Sequence, residues 1–216
     1  MATAKPPESP DTRSASPGKE PRTARGRATM RKLLDAAAKE FGDRGFYEAS
    51  ISDITRRAGT ALGSFYTYFD SKEAIFSALV RDMSQAVART AAAAVSPSSG
   101  GVDREHEVLI AFLDFARQNK AIYRIIDEAE FVDPASYRAH YEGAAARIAA
   151  RLDQGVADQL VRPGENEVRA WALMGMNVFI GLRYGVWEDS RPSDEIAAAI
   201  EDLLRNGIAA PTKKPS

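Results

Sequence analysis

The chain has no cysteine among its 216 residues. That excludes disulfides, thiolate metal sites and a cysteine nucleophile, and it fits a reducing, cytoplasmic setting. Histidine is nearly as scarce: only His106 and His140 occur, far apart and on different predicted helices. His106 sits among Arg104, Glu105 and Glu107, the composition of a solvated helix start. His140 has Tyr137 and Tyr141 nearby but no acid or nucleophile at a spacing that would engage it. Glu128 and Glu130 flank Ala129 and so point apart on a helix, which is poor geometry for a shared metal. No phosphate loop, nucleophile elbow or zinc-ligand pattern is present. The chain is not expected to be an enzyme, and no cofactor or metal is expected.

Long apolar runs are missing as well. No uncharged stretch is longer than residues 170–182, which is too short for a bilayer span and contains Asn177, so it reads as a buried helix. The polar, proline-rich start has no apolar segment of the secretory kind. No membrane partner is expected.

Residues 1–25 contain no Val, Ile, Leu, Phe, Tyr or Trp, and five of the 11 prolines. Such a stretch buries too little surface to offset its ordering entropy, so a disordered arm is expected there, with order beginning near Thr29. The arm is basic. Residues 1–32 carry eight Lys and Arg against Glu8, Asp11 and Glu20, a local balance of +5 within an overall net charge of −1. Two readings stay open: sequence-independent attraction to phosphates, or a solubilising tail.

What is present reads as all-α. Leu34, Ala37 and Phe41 repeat at helical spacing, and Gly42 and Gly45 close that first helix. Ser50 caps a second, with Asp53 in the reciprocal position, and Gly59 ends it. A third short helix runs over 61–68, with Phe65 and Phe69 facing inward. Ser71 caps a fourth, which continues to about residue 94. The run Ser96-Pro-Ser-Ser-Gly-Gly101 is a loop separating two parts of the protein. Beyond it, helices are expected over 103–119, 120–130, 134–160 and 166–187, and from Ser193 to Gly207. Asp133-Pro134 supplies a cap followed by proline at the first helical position. In domain terms the expectation is an arm at 1–25, a helix-turn-helix domain at 26–76, a helical bundle at 77–208 and a frayed tail at 209–216.

Two short helices joined at Gly59-Thr60 suit a helix-turn-helix, in which one helix braces on the backbone while the next lies in the major groove. Hydroxyls at Ser50 and Ser52 fall at the start of the bracing helix, where free N–H groups also attract phosphate. Tyr66 and Tyr68 offer hydroxyls at the edge of the reading helix, and Lys72 offers a charge to the backbone.

At many positions this segment resembles the N-terminal domain of TetR-type transcriptional regulators: Leu33-Leu-Asp-Ala-Ala37, Phe41, Gly45-Phe46, Ser50-Ile-Ser-Asp-Ile54, Ala58-Gly59, Gly63-Ser-Phe-Tyr66, Tyr68-Phe69 and Ser71-Lys-Glu-Ala74. The resemblance implies a homodimer that binds a palindromic double-stranded DNA operator and releases it when a small molecule binds. By position it implies phosphate contacts from Ser50, Ser52, Tyr66, Tyr68 and Lys72, and base readout from Leu62, Gly63, Ser64 and Thr67. Leu62 stands where many members carry a polar or basic residue, so shape and phosphate contacts are expected to share the specificity.

The larger part is rich in bulky side chains at helical spacing. Their plain reading is core packing; the sharper reading is a bundle that encloses an apolar effector. Candidate ligand contacts are Phe112, Phe115, Tyr123, Phe131, Tyr141, Trp171 and Met174, with Arg124, Glu128, His140, Asn177 and Arg183 as polar tips. The mixture suits an elongated or aromatic acid or its acyl-coenzyme A thioester. Gly175, Gly181 and Gly185, with Ile196, Ala197, Ile200 and Leu204 on one face of the last helix, are expected at a subunit interface. The alternative function is a helical ligand-sensing or adaptor protein that does not bind DNA sequence-specifically.

Overall fold

The computed structural model describes residues 21–209, and all regular structure among them is helical. The helices are α1 (Ala24–Arg44), α2 (Ile51–Ala58), α3 (Leu62–Tyr68), α4 (Lys72–Ala94), α5 (Gly101–Gln118), α6 (Ala121–Val132), α7 (Pro134–Ala157), α8 (Asn166–Gly181) and α9 (Ser193–Asn206). Residues 1–20, most of the expected arm, and 210–216, most of the expected tail, lie outside the described residues.

α1 starts five residues before the expected Thr29. Thr23 is its cap: the Oγ1 accepts from the Gly26 N–H at 3.0 Å. A capping threonine offsets the poor composition of the first turn, which periodicity alone does not register.

Local chemistry sets the other boundaries. Ser50 Oγ accepts from the Asp53 N–H at 3.1 Å and donates to Asp53 Oδ2 at 2.7 Å, fixing the start of α2. The Asp53 carboxyl is held below its ordinary range by that Ser50 hydroxyl, with Arg56 and Arg44 adding to the effect. Gly59 ends α2 at φ 64° and ψ 37°, a left-handed turn that glycine takes without a Cβ penalty. Ser71 Oγ accepts from Ala74 N at 3.1 Å and opens α4. Asp133 does the same for α7 through Ser136 N, with Pro134 next.

The head packs around three phenylalanine rings, Phe41, Phe46 and Phe76, with centroids 5.0 to 5.8 Å apart. Leu33, Ile54, Phe65, Phe69 and Ile75 complete the core. The same cluster takes in Ile122, Ile125, Ile126 and Ala129, so α6 is built into the head as firmly as into the bundle. A Cβ on Gly42 would lie 2.5 Å from that of Ala121, which measures how closely α1 and α6 approach.

α8 does not stay α-helical to residue 187. Over Leu182–Trp187 it widens to a π-helical segment, closed by the Glu188 N–H on the Arg183 carbonyl at 3.1 Å. Here part of the expected interface proves to be internal. A side chain on Gly181 would collide with the Tyr123 hydroxyl and stand 2.6 Å from the Phe112 ring, and Gly185 packs on Ala116. Ile196 and Ala197 are buried against Leu109 and Leu113, with Ile200 packed alongside; Leu204 packs on the Ala170–Leu173 side of α8. Of the expected contacts, Gly181, Gly185 and Ile196 are buried inside the subunit, while Ile200 and Leu204 are only partly buried.

Candidate nucleic-acid interface and ligand cavity

α3 is fixed on one side only. Phe65 and Phe69 are buried, while Leu62 is 48% exposed and Tyr66 49% exposed. Gly63 and Thr67 are exposed beside them, and a Cβ on Gly63 would meet nothing within 4 Å. The outward face is therefore Leu62, Gly63, Tyr66 and Thr67, with the Thr67 hydroxyl donating to the Gly63 carbonyl at 3.3 Å. Ser64 is half-buried. Ser52 is exposed on the first turn of α2, and Ser50 is half-buried and engaged as the cap.

Two expected phosphate contacts stand differently. Tyr68 is half-buried and packs on the head core; a Cβ on Gly26 would come within 3.4 Å of its hydroxyl, which places that hydroxyl beside the start of α1. Lys72 is turned inward. Its Nζ donates to the carbonyls of Phe46 at 2.8 Å, Tyr47 at 3.2 Å and Ala49 at 3.0 Å, and it sits 4.5 Å from the Phe46 ring centroid. An ammonium has three N–H donors, and all three are occupied. Lys72 thus ties the α1–α2 connection to α4, and its expected phosphate role is corrected to a positioning one. Arg57 is likewise turned to the protein, with Nε 2.6 Å from buried Glu40 Oε1.

The second feature is a cavity among α4, α5, α6, α7 and α8, with an empty volume of about 910 Å³ including its open mouth. Of the expected ligand contacts, Phe112, Phe115, Tyr123, His140, Tyr141, Met174 and Asn177 line it. Four do not. Phe131 is 75% exposed on the outside of α6, and Trp171 is 43% exposed on the outer face of α8. Arg124 and Glu128 point to the head: Arg124 Nη1 donates to the Gly42 and Asp43 carbonyls at 3.2 and 3.1 Å, and Glu128 Oε2 accepts from the Phe46 N–H at 2.7 Å. Arg183 is also outside, ion-paired with Glu188 at 2.6 Å.

Positions 122, 123, 126 and 127 of α6 face the cavity, while 124 and 128 face the α1–α2 connection. The helical period makes this division, and it puts the cavity wall and the support of α2 on one rigid element.

Sequence reasoning missed the charged lining: Asp127, Arg147 and Arg151. Their signal was there, because His140, Ala144, Arg147 and Arg151 recur at intervals of four, three and four on one face of α7. Arg151 is bidentate on buried Glu105, at 2.6 and 2.7 Å. The Arg147 guanidinium is held below its ordinary value by burial and by Arg151. Burial and Glu130 raise the Asp127 carboxyl. Burial, with Tyr137 and Asp127 nearby, pushes Tyr141 up to about 12. No group of His, Asp and Glu among the described residues is arranged to hold a metal, and no described helix is long and apolar enough to cross a membrane.

Comparison with known proteins matches this geometry. The family described as bacterial regulatory proteins, tetR family, matches residues 33–79, the head from mid-α1 into α4. The Bacillus subtilis HTH-type transcriptional regulator YdgC is 49% identical over 59 residues, 27% of this chain and 30% of that protein, so the match spans under a third of its length. The Rhodococcus jostii HTH-type transcriptional repressor KstR2 is 26% identical over 200 residues, 86% of this chain and 93% of that protein. The solved transcriptional regulator FadR from Bacillus subtilis, in complex with stearoyl-CoA, superposes with a TM-score of 0.70 at 15% identity, over 83% of this chain and 99% of that one. That last likeness concerns the fold. With its capped α2 and exposed α3, the head at residues 33–79 is that of the tetR family of bacterial regulatory proteins, and the bundle behind it shares the fold of solved regulators of that kind.

Proposed function

We propose that the chain is a homodimeric, ligand-responsive repressor that binds a palindromic operator through α3 and leaves it when an apolar acid, or its coenzyme A thioester, enters the cavity. The observation that carries this reading is the double use of α6. Ile122, Tyr123, Ile126 and Asp127 border the cavity, while Arg124 and Glu128 hold the Gly42–Phe46 connection that leads into the helix-turn-helix. A ligand that moves α6 acts directly on the aim of α2 and α3. The apolar lining with Arg147 and Arg151 of α7 in it supports an acid, and FadR, a protein of this fold, was solved in complex with stearoyl-CoA.

The dimer rests on the outer face of α8. Val168, Trp171, Gly175 and Phe179 follow helical spacing, and all but Gly175 are exposed large apolar side chains. A Cβ on Gly175 would meet nothing within 4 Å. An apolar stripe with a glycine gap suits close packing against the same stripe of a second copy across a two-fold axis.

The test is a fluorescence titration of labelled DNA from upstream of the protein's own gene, with and without a panel of acyl-coenzyme A thioesters and aromatic acids. Sequence-specific binding that weakens steeply with salt, and is reversed by a panel member, is the expected result. One observation favours the adaptor reading instead: Leu62 and the engaged Lys72 leave few charged groups on the reading face. Equal affinity for operator and scrambled duplex would select it.

A further inference from the structure

The polar lining of the cavity includes His140 and Arg147 on α7, Asp127 on α6, the side chains of Thr90, Tyr123, Tyr141 and Asn177, and Arg151, whose guanidinium is already bidentate on Glu105. The state of His140 follows from its partners. Ser84 Oγ lies 2.7 Å from the Val80 carbonyl and 2.8 Å from His140 Nδ1. A hydroxyl has one proton and a carbonyl can only accept, so the Ser84 proton goes to Val80. Ser84 then has only lone pairs to offer the ring, which places the imidazole proton on Nδ1. Nε2 is left as a bare acceptor on a ring that lines the cavity. Burial and Arg147 push the ring down to about 4, so it stays neutral at physiological pH. The Tyr123 hydroxyl is already committed to the Val178 carbonyl at 2.9 Å.

We propose that the effector is an amphipathic anion bearing a second, hydrogen-bond-donating group: a hydroxylated apolar acid, with its acid against Arg147 and its hydroxyl against His140 Nε2. This rests on the apolar-acid reading above and narrows it. A plain fatty acid would leave His140 Nε2 facing methylenes, which a desolvated acceptor disfavours. His140 and Arg147 are seven residues apart on α7, about 10 Å along the helix axis, which sets the hydroxyl near the middle of a long chain.

The experiment measures binding of octadecanoate and 10-hydroxyoctadecanoate by calorimetry to the full chain, to His140→Phe and to Arg147→Met. The wild type is expected to favour the hydroxylated acid about tenfold. That ratio should fall to near one in His140→Phe, while Arg147→Met weakens both probes together. Equal affinity of the two acids for the wild type overturns the hydroxyl assignment and leaves the apolar-acid reading standing. Binding of neither overturns this proposal, and the broader acid reading falls only if the acyl-coenzyme A thioesters and aromatic acids fail to bind as well. Independently of any variant's folding, nitrogen NMR of the wild-type imidazole should show Nδ1 protonated, and a proton on Nε2 would overturn the proposal.

Discussion

Lys72 holds three carbonyls of the α1–α2 connection with one ammonium, so replacing it removes a brace and leaves those acceptors short of a donor. Lys72→Met should lower unfolding stability by about 1–3 kcal/mol in urea titrations. It should also weaken DNA binding while leaving the salt dependence nearly unchanged, because no phosphate contact is lost. A drop of about one in the salt slope would return Lys72 to the phosphate role. On the reading face, Leu62→Ala should alter which operators are preferred, by about 1–3 kcal/mol at the affected base pairs. Uniform loss on every duplex would contradict that. His140 supplies a pH signature. Its folded value of about 4 lies below the ordinary 6.5, so the unfolded chain takes up the proton first as pH falls. The contribution is complete above about pH 6.5, is lost progressively down to about pH 4, and amounts to about 3 kcal/mol. Urea midpoints across that window should fall more steeply for the wild type than for His140→Gln. Parallel curves would show that the ring titrates normally.

At the scale of elements, the proposed regulation turns on α6. Glu128→Ala removes the acceptor of the Phe46 N–H at 2.7 Å and frees the connection ahead of α2. The expected outcome is unchanged effector affinity with a much smaller effect of effector on operator binding, read by titrating DNA at saturating ligand. A full effector response in Glu128→Ala would place the coupling elsewhere. The same helix shows what the sequence can and cannot reveal. Ser50, Gly59, Ser71 and Asp133 announce helix ends through capping chemistry that acts within three or four residues, so those ends are legible. The aromatic core of the head is legible for the same local reason, since Phe41, Phe65 and Phe69 fall on single stripes. α6 is apolar on more than one side, and nothing local says whether Arg124 and Glu128 face a cavity or a neighbouring loop. Only the approach of α1 at Gly42 decides it. Gly181 and Ile196 were misplaced for a related reason: an apolar helix face looks alike whether its partner is another subunit or the same chain. The α7 face that carries Arg147 and Arg151 was readable by its spacing, yet charged residues on a helix are usually solvated, and that expectation hid them.

For the whole molecule, the account requires two copies. The exposed stripe of α8 is the surface proposed to join them, next to the partly buried Ile200 and Leu204 of α9. Phe179, 71% exposed and outside the cavity lining, is the position to test. Phe179→Asp should give a folded monomer by sedimentation, with the wild-type helical signal and much weaker operator binding. A dimer that survives this change and Trp171→Asp together would move the interface to another face. Joining two heads also sets the register on DNA, since half-sites must repeat about one helical turn apart to meet both copies of α3. The measurement that bears most directly on the whole account is anisotropy of labelled upstream DNA as protein is added at several salt concentrations, repeated with effector present. The account predicts a two-fold-symmetric site bound far more tightly than scrambled duplex, with affinity falling steeply as salt rises and collapsing when the cavity is filled. Binding that ignores sequence and is indifferent to every cavity ligand would contradict it.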